Sequence, residues 1–442
     1  MDRPEDTVGP TVIPTAAAGL ADEDGRGLQL LRARGRIRGV IALLGPAFVA
    51  AVAYVDPGNF ATNLSAGAKF GYTLIWVIVL ANVMAMLVQY LSAKVGVATG
   101  KDLPELCRDH LPRRVSRMLW VQAECVAMAT DLAEFVGAAV GLNLVFGIRL
   151  FPAGLLTAVV AFGILALEQR GYRHFELAIA ALLFLVLCGF AYDLLRVGAD
   201  AGQATAGLLP SFAGGNSVLL ATGIVGATLM PHVVYLHSAL TKSRVSCRDD
   251  AERFELLRFT RLDVLIGLSA AGVINAAMLM LSASLFSSGG RLGDGALGNG
   301  DPIEATYSRL GTVIGGSAAL AFGVALLASG LASSSVGTYA GQVVMQGFLR
   351  RSIPLFLRRA VTMAPALLVL GLGLPATDSL VISQVVLSFG IPFALVPLAL
   401  ITRRADVMGV FVNRPLTSAA LTVITVTIAS LNAYLILQLF VS

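Results

Sequence analysis

A single carboxylate stands in the middle of a long apolar stretch near the start of the chain. Asp56 is followed by Pro57, a glycine and Asn59 within the apolar run at 39–67. A carboxylate is costly in such a span, and unwound backbone is tolerated there only where it is buried or lines a cavity. The pattern predicts a helix broken to bind a cation, with oxygens offered by Asp56, Asn59 and the freed carbonyl of Ala53. A proline kink capped by Asp56 is the alternative, although a kink needs no carboxylate and amide together.

A second interruption lies in the run at 215–241, where Met230, Pro231 and His232 follow several glycines. Paired interruptions in the two halves of a transporter are the best sequence indication of its binding site. The carbonyl of Ala227 adds an oxygen, and Met230 adds a soft thioether suited to Mn²⁺, Fe²⁺, Co²⁺ or Cd²⁺. A lone Met usually packs a core, so its assignment as a ligand depends on the break opposite. We expect His232 to line the cavity or to handle protons.

Three carboxylates follow one another along the apolar run at 117–147. At about 100° per residue, Glu124, Asp131 and Glu134 share one face of a helix over roughly 15 Å. Acids inside a membrane are usually functional, often as a proton relay, so we expect a proton pathway here. The alternative is structural pairing with basic residues at the inner ends of other helices. The candidates for that pairing are Arg244, Arg350 and Arg351. Arg244 is also a candidate member of the proton pathway.

The composition places these residues in an α-helical membrane protein. Of 442 residues, 56% are hydrophobic and 13% are charged, whereas a soluble protein carries about 25% charged residues. A bilayer core of roughly 30 Å needs about 20 apolar residues per helix. Eleven runs are candidates, the ninth being the weakest: 39–67, 72–93, 117–147, 150–168, 174–196, 215–241, 262–287, 311–342, 355–374, 379–402 and 415–440.

One helical core is predicted, flanked by two further segments. Residues 1–38 lack the pattern of a signal peptide and are expected to form a disordered tail, residues 39–402 the core, and residues 403–442 an additional eleventh helix. The two breaks are five spans apart, and a repeat of odd span number inserts with opposite topology. The core is therefore predicted to be a 5+5 inverted repeat of about 39–196 and 215–402, with discontinuous helices 1 and 6.

The basic residues predict the orientation of the chain. All but five of the 32 Lys and Arg residues fall in the tail or in alternate loops, which places the N-terminus in the cytoplasm and the C-terminus outside the cell membrane. The exceptions are Lys69, Arg149, Arg196, Arg291 and Arg309. This distribution argues against nucleic acid as a partner. The four cysteines are too far apart to suggest a disulfide framework or a thiolate metal site.

The two interrupted motifs, 56–59 and 230–232, together resemble the Nramp family (natural resistance-associated macrophage proteins), proton-coupled divalent metal transporters. The resemblance covers all eleven spans and the composition resembles bacterial members. It implies the leucine-transporter fold and import of Mn²⁺ or Fe²⁺ together with protons. By motif it implies these metal ligands: Asp56, Asn59, Met230 and the carbonyls of Ala53 and Ala227. The stretch 383–390 also resembles the family, which makes Gln384 a ligand that binds in some conformations.

The resemblance also implies a proton path that leaves the metal through the helix at 117–147, with His232 beside it. His237 and Asp263 are predicted to belong to an inner gate, because both lie near the cytoplasmic ends of their helices. No cofactor is expected, and the expected partners are divalent metal ions, protons and the lipid bilayer.

Three other functions are compatible with a broken-helix membrane protein. A metal-dependent membrane enzyme would usually carry clustered acidic or HExxH ligands, and the sequence has none. A sodium-coupled carrier of organic solutes would present main-chain groups to a substrate carboxylate, which Asp56 would repel. A passive channel is the remaining alternative. We therefore expect a transporter rather than an enzyme.

Overall fold

The computed structural model describes residues 45–168, 172–242, 244–245, 247–286, 301–350 and 355–441, and every regular element in these ranges is a helix. The predicted tail at 1–38 lies outside them. The helices are α1 (Pro46–Ala53), α2 (Pro57–Phe70), α3 (Ile75–Thr99), α4 (Leu103–His110), α5 (Arg113–Phe146), α6 (Leu150–Glu168), α7 (Tyr172–Val197), α8 (Ala201–Ala206), α9 (Gly215–Thr228), α10 (Pro231–Lys242), α11 (Asp250–Phe286), α12 (Pro302–Val313), α13 (Gly316–Leu349), α14 (Leu355–Gly371), α15 (Ala376–Thr402), α16 (Ala405–Met408) and α17 (Pro415–Val441).

The first predicted break is confirmed between α1 and α2. Helix α1 ends at Ala53, and α2 begins at Pro57 with Asp56 as its N-cap in extended conformation. Proline is favourable at this position because its missing N–H would have no partner in the first turn of a helix. The carboxylate of Asp56 accepts a hydrogen bond from the backbone N–H of Asn59 at 2.8 Å. The unwound segment is thus stabilised by its own residues.

The second break is confirmed between α9 and α10. Helix α9 ends at Thr228, and Leu229 has the non-helical angles φ −107° and ψ 59°. The backbone N–H of Leu229 still donates to Val225 at 2.8 Å, so the helix closes normally before the chain turns. Pro231 then starts α10. Both breaks therefore end one helix normally and begin the next at a proline.

Helices α5 and α13 pack closely along their lengths through small residues. A Cβ atom on Gly330 of α13 would lie 2.9 Å from the Cβ of Ala138, and one on Gly141 of α5 would lie 2.8 Å from the Cα of Leu327. Small residues let helix backbones approach, which is how helices associate in a membrane without a hydrophobic driving force. This pair forms a rigid frame beside the first break, because Gly137 of α5 faces the ring of Pro57.

Eight helices of the described residues are long and apolar enough to cross a membrane. They lie at Ile75–Thr99, Arg113–Phe146, Ile179–Val197, Gly215–Lys242, Asp250–Phe286, Gly316–Leu349, Ala376–Thr402 and Pro415–Leu437. A shorter apolar helix follows at Leu150–Val160. The other two predicted spans correspond to the pair of half-helices α1 and α2 and to the 17-residue helix α14. Several apolar spans are thus present, and the count of eleven stays a prediction.

Some predicted boundaries were wrong. Helix α11 begins at Asp250 rather than 262, because Asp249 accepts a hydrogen bond from the N–H of Glu252 at 2.8 Å and starts a charged extension of the apolar helix. The short helix α4 was missed, although Asp102 and Glu105 form a capping box at its start. A search for long apolar runs does not detect polar helices of this length.

Replacing Gly67 with valine is expected to destabilise the fold. A Cβ atom at this position would lie 2.3 Å from the carbonyl oxygen of Leu279, where α2 crosses α11. Overpacking of this kind costs roughly 1–3 kcal/mol. Thermal unfolding of the purified protein in detergent should show a lower midpoint for Gly67→Val. Gly163→Val is the control, because no described atom from another part of the chain lies within 4 Å of its Cβ position. Equal midpoints for the two variants would contradict the close packing.

Candidate metal site at the two helix breaks

Asp56 and Asn59 form one side of the candidate site, and both are completely buried. One carboxylate oxygen of Asp56 accepts from the backbone N–H and from the side-chain amide of Asn59, each at 2.8 Å. The other carboxylate oxygen and the amide oxygen of Asn59 have no hydrogen-bond partner among the described residues. Buried polar atoms are normally paired, so two unpaired oxygens side by side indicate a site for a cation.

The prolines explain why backbone carbonyls are available at both breaks. A helical carbonyl accepts from the N–H four residues later, and the fourth residue after Ala53 is Pro57. The fourth residue after Ala227 is Pro231, so the same donor is missing in the second break. The carbonyl of Ala227 accepts instead from the side-chain amide of Asn59 at 3.1 Å. Asn59 therefore bridges the two breaks.

The carbonyls that follow Ala53 are satisfied by neighbouring helices. The side-chain amide of Asn275 on α11 donates to the carbonyl of Tyr54 at 2.8 Å, and the hydroxyl of Ser329 on α13 donates to the carbonyl of Val55. The sequence analysis did not assign these two side chains to the site. A polar asparagine and a polar serine within apolar runs were the only sequence features that could have indicated these contacts. Pro57 cannot donate to the carbonyl of Ala53, so that carbonyl stays a candidate ligand.

Gln384 of α15 lies between the breaks. Its side-chain amide nitrogen would be 1.9 Å from a Cβ atom on Gly58, and its backbone carbonyl would be 2.1 Å from a Cβ atom on Gly226. Only glycine lets α15 approach both broken helices so closely. Gln384 is completely buried, and its amide oxygen has no partner among the described residues. It is the third unpaired oxygen in this region.

Met230 is 1% exposed and lies at the start of the second break, within the core. The described residues hold no group of three or more His, Cys, Asp or Glu side chains that could bind a metal. An ion at the breaks would therefore be bound by the one carboxylate of Asp56 together with amide, carbonyl and thioether groups. Such a mixed set fits a borderline transition metal better than Mg²⁺ or Ca²⁺, which prefer oxygen alone.

His232 connects the second break to α5. Its ring nitrogen Nδ1 lies 3.3 Å from the hydroxyl of Thr130 on α5, and its Nε2 has no partner within the described part of the chain. The side chain is 1% exposed. The predicted neighbourhood of His232 and the acidic helix therefore exists in the fold.

Two of the three acids of α5 are paired with arginines of α14. Arg358 donates to Glu124 at 2.8 Å, and a guanidinium nitrogen of Arg359 lies 3.6 Å from Asp131. Glu134 is 1% exposed and lies against Gly337, where a Cβ atom would be 2.8 Å from its carboxylate. Two of the three acids therefore lie beside an arginine, and the third, Glu134, is buried against α13.

The alternative of structural pairing named Arg244, Arg350 and Arg351, of which Arg351 lies outside the described residues. The arginines found beside Glu124 and Asp131 are Arg358 and Arg359, at the start of the ninth predicted span. Arg359 is 3% exposed, and it donates to the backbone carbonyl of Ser334 at 2.9 Å and to two hydroxyls of α13. Two adjacent arginines at the start of an apolar run were the signal for their burial.

The predicted gate residue His237 lies on α10, and Asp263 lies on α11 beside the start of α1. His237 is completely buried, and its Nδ1 is 2.9 Å from the side-chain oxygen of Gln89, whose amide donates to the hydroxyl of Tyr54. This chain of contacts connects α10 through α3 to the end of α1. Asp263 of α11 accepts from the backbone N–H groups of Gly45 at 3.2 Å and Ala47 at 2.9 Å. It therefore caps the inner end of α1.

Arg244 belongs to this inner region. It lines a small cavity together with Pro46, Thr241, Thr260 and Asp263. Arg244 is thus placed with the predicted gate residues, and the described cation partners of the α5 acids come from α14.

The chain is similar to characterised transporters over most of its length. It is 48% identical over 404 residues to the divalent metal cation transporter MntH of Bacillus subtilis, covering 91% of this chain and 93% of the relative. It is 47% identical over 403 residues to the protein of the same name from Deinococcus radiodurans, covering 91% of each. The relatives are transporters.

Solved structures show the same fold. A manganese transporter of Eremococcus coleocola matches with a TM-score of 0.80 and 33% identity, over 89% of this chain and 86% of the other. Mhp1, a nucleobase-cation-symport-1 family transporter, matches with a TM-score of 0.58 and 14% identity. The match covers 80% of this chain and 77% of Mhp1. This second match shows the fold alone, the leucine-transporter fold that the family resemblance implied. The model of the family described as natural resistance-associated macrophage protein-like matches residues 47–438, and the chain belongs to this Nramp family.

Proposed function

We propose that the protein is a proton-coupled transporter that imports divalent transition-metal ions of the Mn²⁺ and Fe²⁺ class. The observation that carries this proposal is the set of unpaired buried oxygens on Asp56, Asn59 and Gln384 at the junction of two broken helices. The relatives named as divalent metal cation transporters and the solved manganese transporter support the same conclusion.

The ligand set explains how such a site would select its ion. Asp56 supplies the only carboxylate at the breaks, and an attraction between unit charges 4 Å apart is worth about 4 kcal/mol at an effective dielectric constant of about 20. Asn59, Gln384 and two carbonyls replace bound water without adding charge. Met230 supplies a thioether, which binds Mn²⁺ or Fe²⁺ better than Ca²⁺. The ion must therefore shed water and accept sulfur.

Protons would follow a separate route through α5. Glu134 lies close enough to Asp56, Asp131 and Arg359 for their charges to act on it. A divalent ion arriving beside Asp56 would favour release of a nearby proton by electrostatic repulsion. Asp131 and its arginine partner offer the next step towards the cytoplasm. His232 lies beside this route through its contact with Thr130.

Movement of the half-helices would open the inner side. Helix α1 is held at its inner end by Asp263 and at its outer end by the contacts of Tyr54 and Val55. Because only a few hydrogen bonds anchor this short helix, it can swing without unfolding the frame formed by α5 and α13. We place the N-terminus in the cytoplasm and the C-terminus outside the cell membrane, as the distribution of basic residues favours.

Asp56→Asn is expected to reduce Mn²⁺ uptake into proteoliposomes to less than about a tenth of the wild-type rate. The amide keeps the shape of the side chain but removes the charge that attracts the ion. Asp250→Asn is the control, since Asp250 is an exposed residue at the start of α11. Near-normal uptake by Asp56→Asn would exclude Asp56 as the principal ligand.

Met230→Ala is expected to weaken discrimination against Ca²⁺. Removal of the thioether leaves a site with oxygen ligands, which hard cations prefer. Competition of Ca²⁺ with radioactive Mn²⁺ should therefore become stronger in the variant. Met345→Ala is the matched control, because Met345 is also buried but lies at the inner end of α13. If both variants kept the wild-type selectivity, Met230 would not be part of the selective site.

Asp131→Asn is expected to separate metal flux from proton flux. The metal ligands stay in place, whereas the neutral amide cannot carry a proton along α5. Mn²⁺ uptake and internal pH should be followed together in proteoliposomes, and acidification per metal ion should fall at least about threefold. Asp378→Asn, at an exposed position in the first turn of α15, is the control. Unchanged acidification would contradict the role of Asp131.

A further inference from the structure

A cavity of about 600 Å³ lies apart from the metal site, at one end of the helical core. Its walls come from the end of α3, the beginning of α11 and the segment that leads from α16 into α17. The residues that line it are Tyr90, Leu91, Lys94, Phe254, Leu257, Arg258, Arg261, Val410, Phe411, Val412, Arg414 and Thr417. All three walls belong to the side that the Lys and Arg distribution assigns to the cytoplasm.

Four of the lining residues are cationic, and none of those that the structure describes is acidic. Arg258, Arg261 and Arg414 take part in none of the ion pairs found between described residues. On the same helix, Arg253 pairs with Asp250 at 3.0 Å. A concentration of unbalanced positive charge in a cavity attracts anions, because the low-dielectric walls strengthen the field inside it.

The floor of the cavity is built by hydrogen bonds and aromatic packing. The ammonium group of Lys94, which is 8% exposed, donates to the side-chain oxygen of Asn413. Asn413 in turn donates from its backbone and from its side chain to Thr402, each at 2.9 Å. The rings of Phe254 and Phe411 are 4.4 Å apart. The ammonium group of Lys94 is therefore held in place beside the other lining residues.

Apolar faces extend from the cavity along the same helices. On α3, Val79 and Val83 are 44% and 56% exposed and stand two to three turns before Tyr90. On α11, Ile266 and Val273 are 42% and 59% exposed and follow Arg261 towards the middle of the span. Exposed apolar side chains at this depth contact acyl chains. The cavity thus combines a cationic end with hydrocarbon-facing surfaces above it.

We propose that this cavity binds the phosphate headgroup of an anionic phospholipid of the cytoplasmic leaflet. Arginine recognises phosphate through paired hydrogen bonds, and basic pockets between transmembrane helices on this side suit such headgroups. A free phosphate or a soluble phosphate ester would use the cations but would leave the apolar rim around Val410 unused. The bound lipid would join α3 and α11 to the segment before α17.

The test is binding of short-chain phosphatidylglycerol to the purified full-length protein, measured by native mass spectrometry. The variant Arg258→Gln/Arg261→Gln/Arg414→Gln should bind it at least about tenfold more weakly than wild type, because each cation contributes to attraction of the headgroup. The matched control has the same loss of charge at exposed arginines outside the cavity: Arg113→Gln/Arg114→Gln/Arg117→Gln. It should bind as wild type does.

A second variant keeps the test decisive if the triple variant does not fold. Val410 is 62% exposed, so Val410→Glu adds a negative charge at the rim without disturbing the core, and it should also weaken binding. Phosphatidylcholine should bind at least about tenfold more weakly than phosphatidylglycerol. Wild-type affinity in both cavity variants would overturn the proposal, and so would equal binding of the neutral lipid. Competition by inorganic phosphate at lipid-equivalent concentrations would identify a free-anion site instead.

Discussion

The donor that a proline cannot supply is the constraint on which the rest of this molecule depends. At the depth of a membrane, each backbone carbonyl must find a partner within the protein. Pro57 and Pro231 remove that partner from Ala53 and Ala227, four residues earlier in each case. The neighbouring helices satisfy the next carbonyls of the first break, and Asn59 reaches from one break to the other. Asp56, Asn59 and Gln384 each keep one side-chain oxygen without a partner among the described residues.

The three carboxylates of α5 impose a second constraint, which concerns charge. A buried ionised acid needs a partner, and breaking such a pair is far more costly than never forming it. The partners come from α14, a helix of 17 residues, and one of them, Arg359, is itself held by α13. The candidate metal ligands at the breaks and the acids of α5 thus lie on different helices.

Much of the fold could be predicted because its causes are local. A carboxylate next to a proline in an apolar run is visible within one turn, and both breaks were found where the motifs indicated. The start of α11 at Asp250 and the short helix α4 were missed because polar residues and their caps define them, and not apolar length. The arginines beside Glu124 and Asp131 were not identified from the sequence, because distance along the chain does not report which helices touch.

The sequence by itself determined where the helices break, which side chains could bind a cation there, and the family to which the chain belongs. Proline geometry and the cost of a charge in an apolar span act on neighbouring residues, so no fold is needed to infer them. Only the tertiary structure decided that Gln384 lies against Gly58, that Arg359 faces Asp131, and that basic residues from three segments surround one cavity. These contacts join residues far apart in the chain, and they depend on how closely small side chains allow the helices to approach.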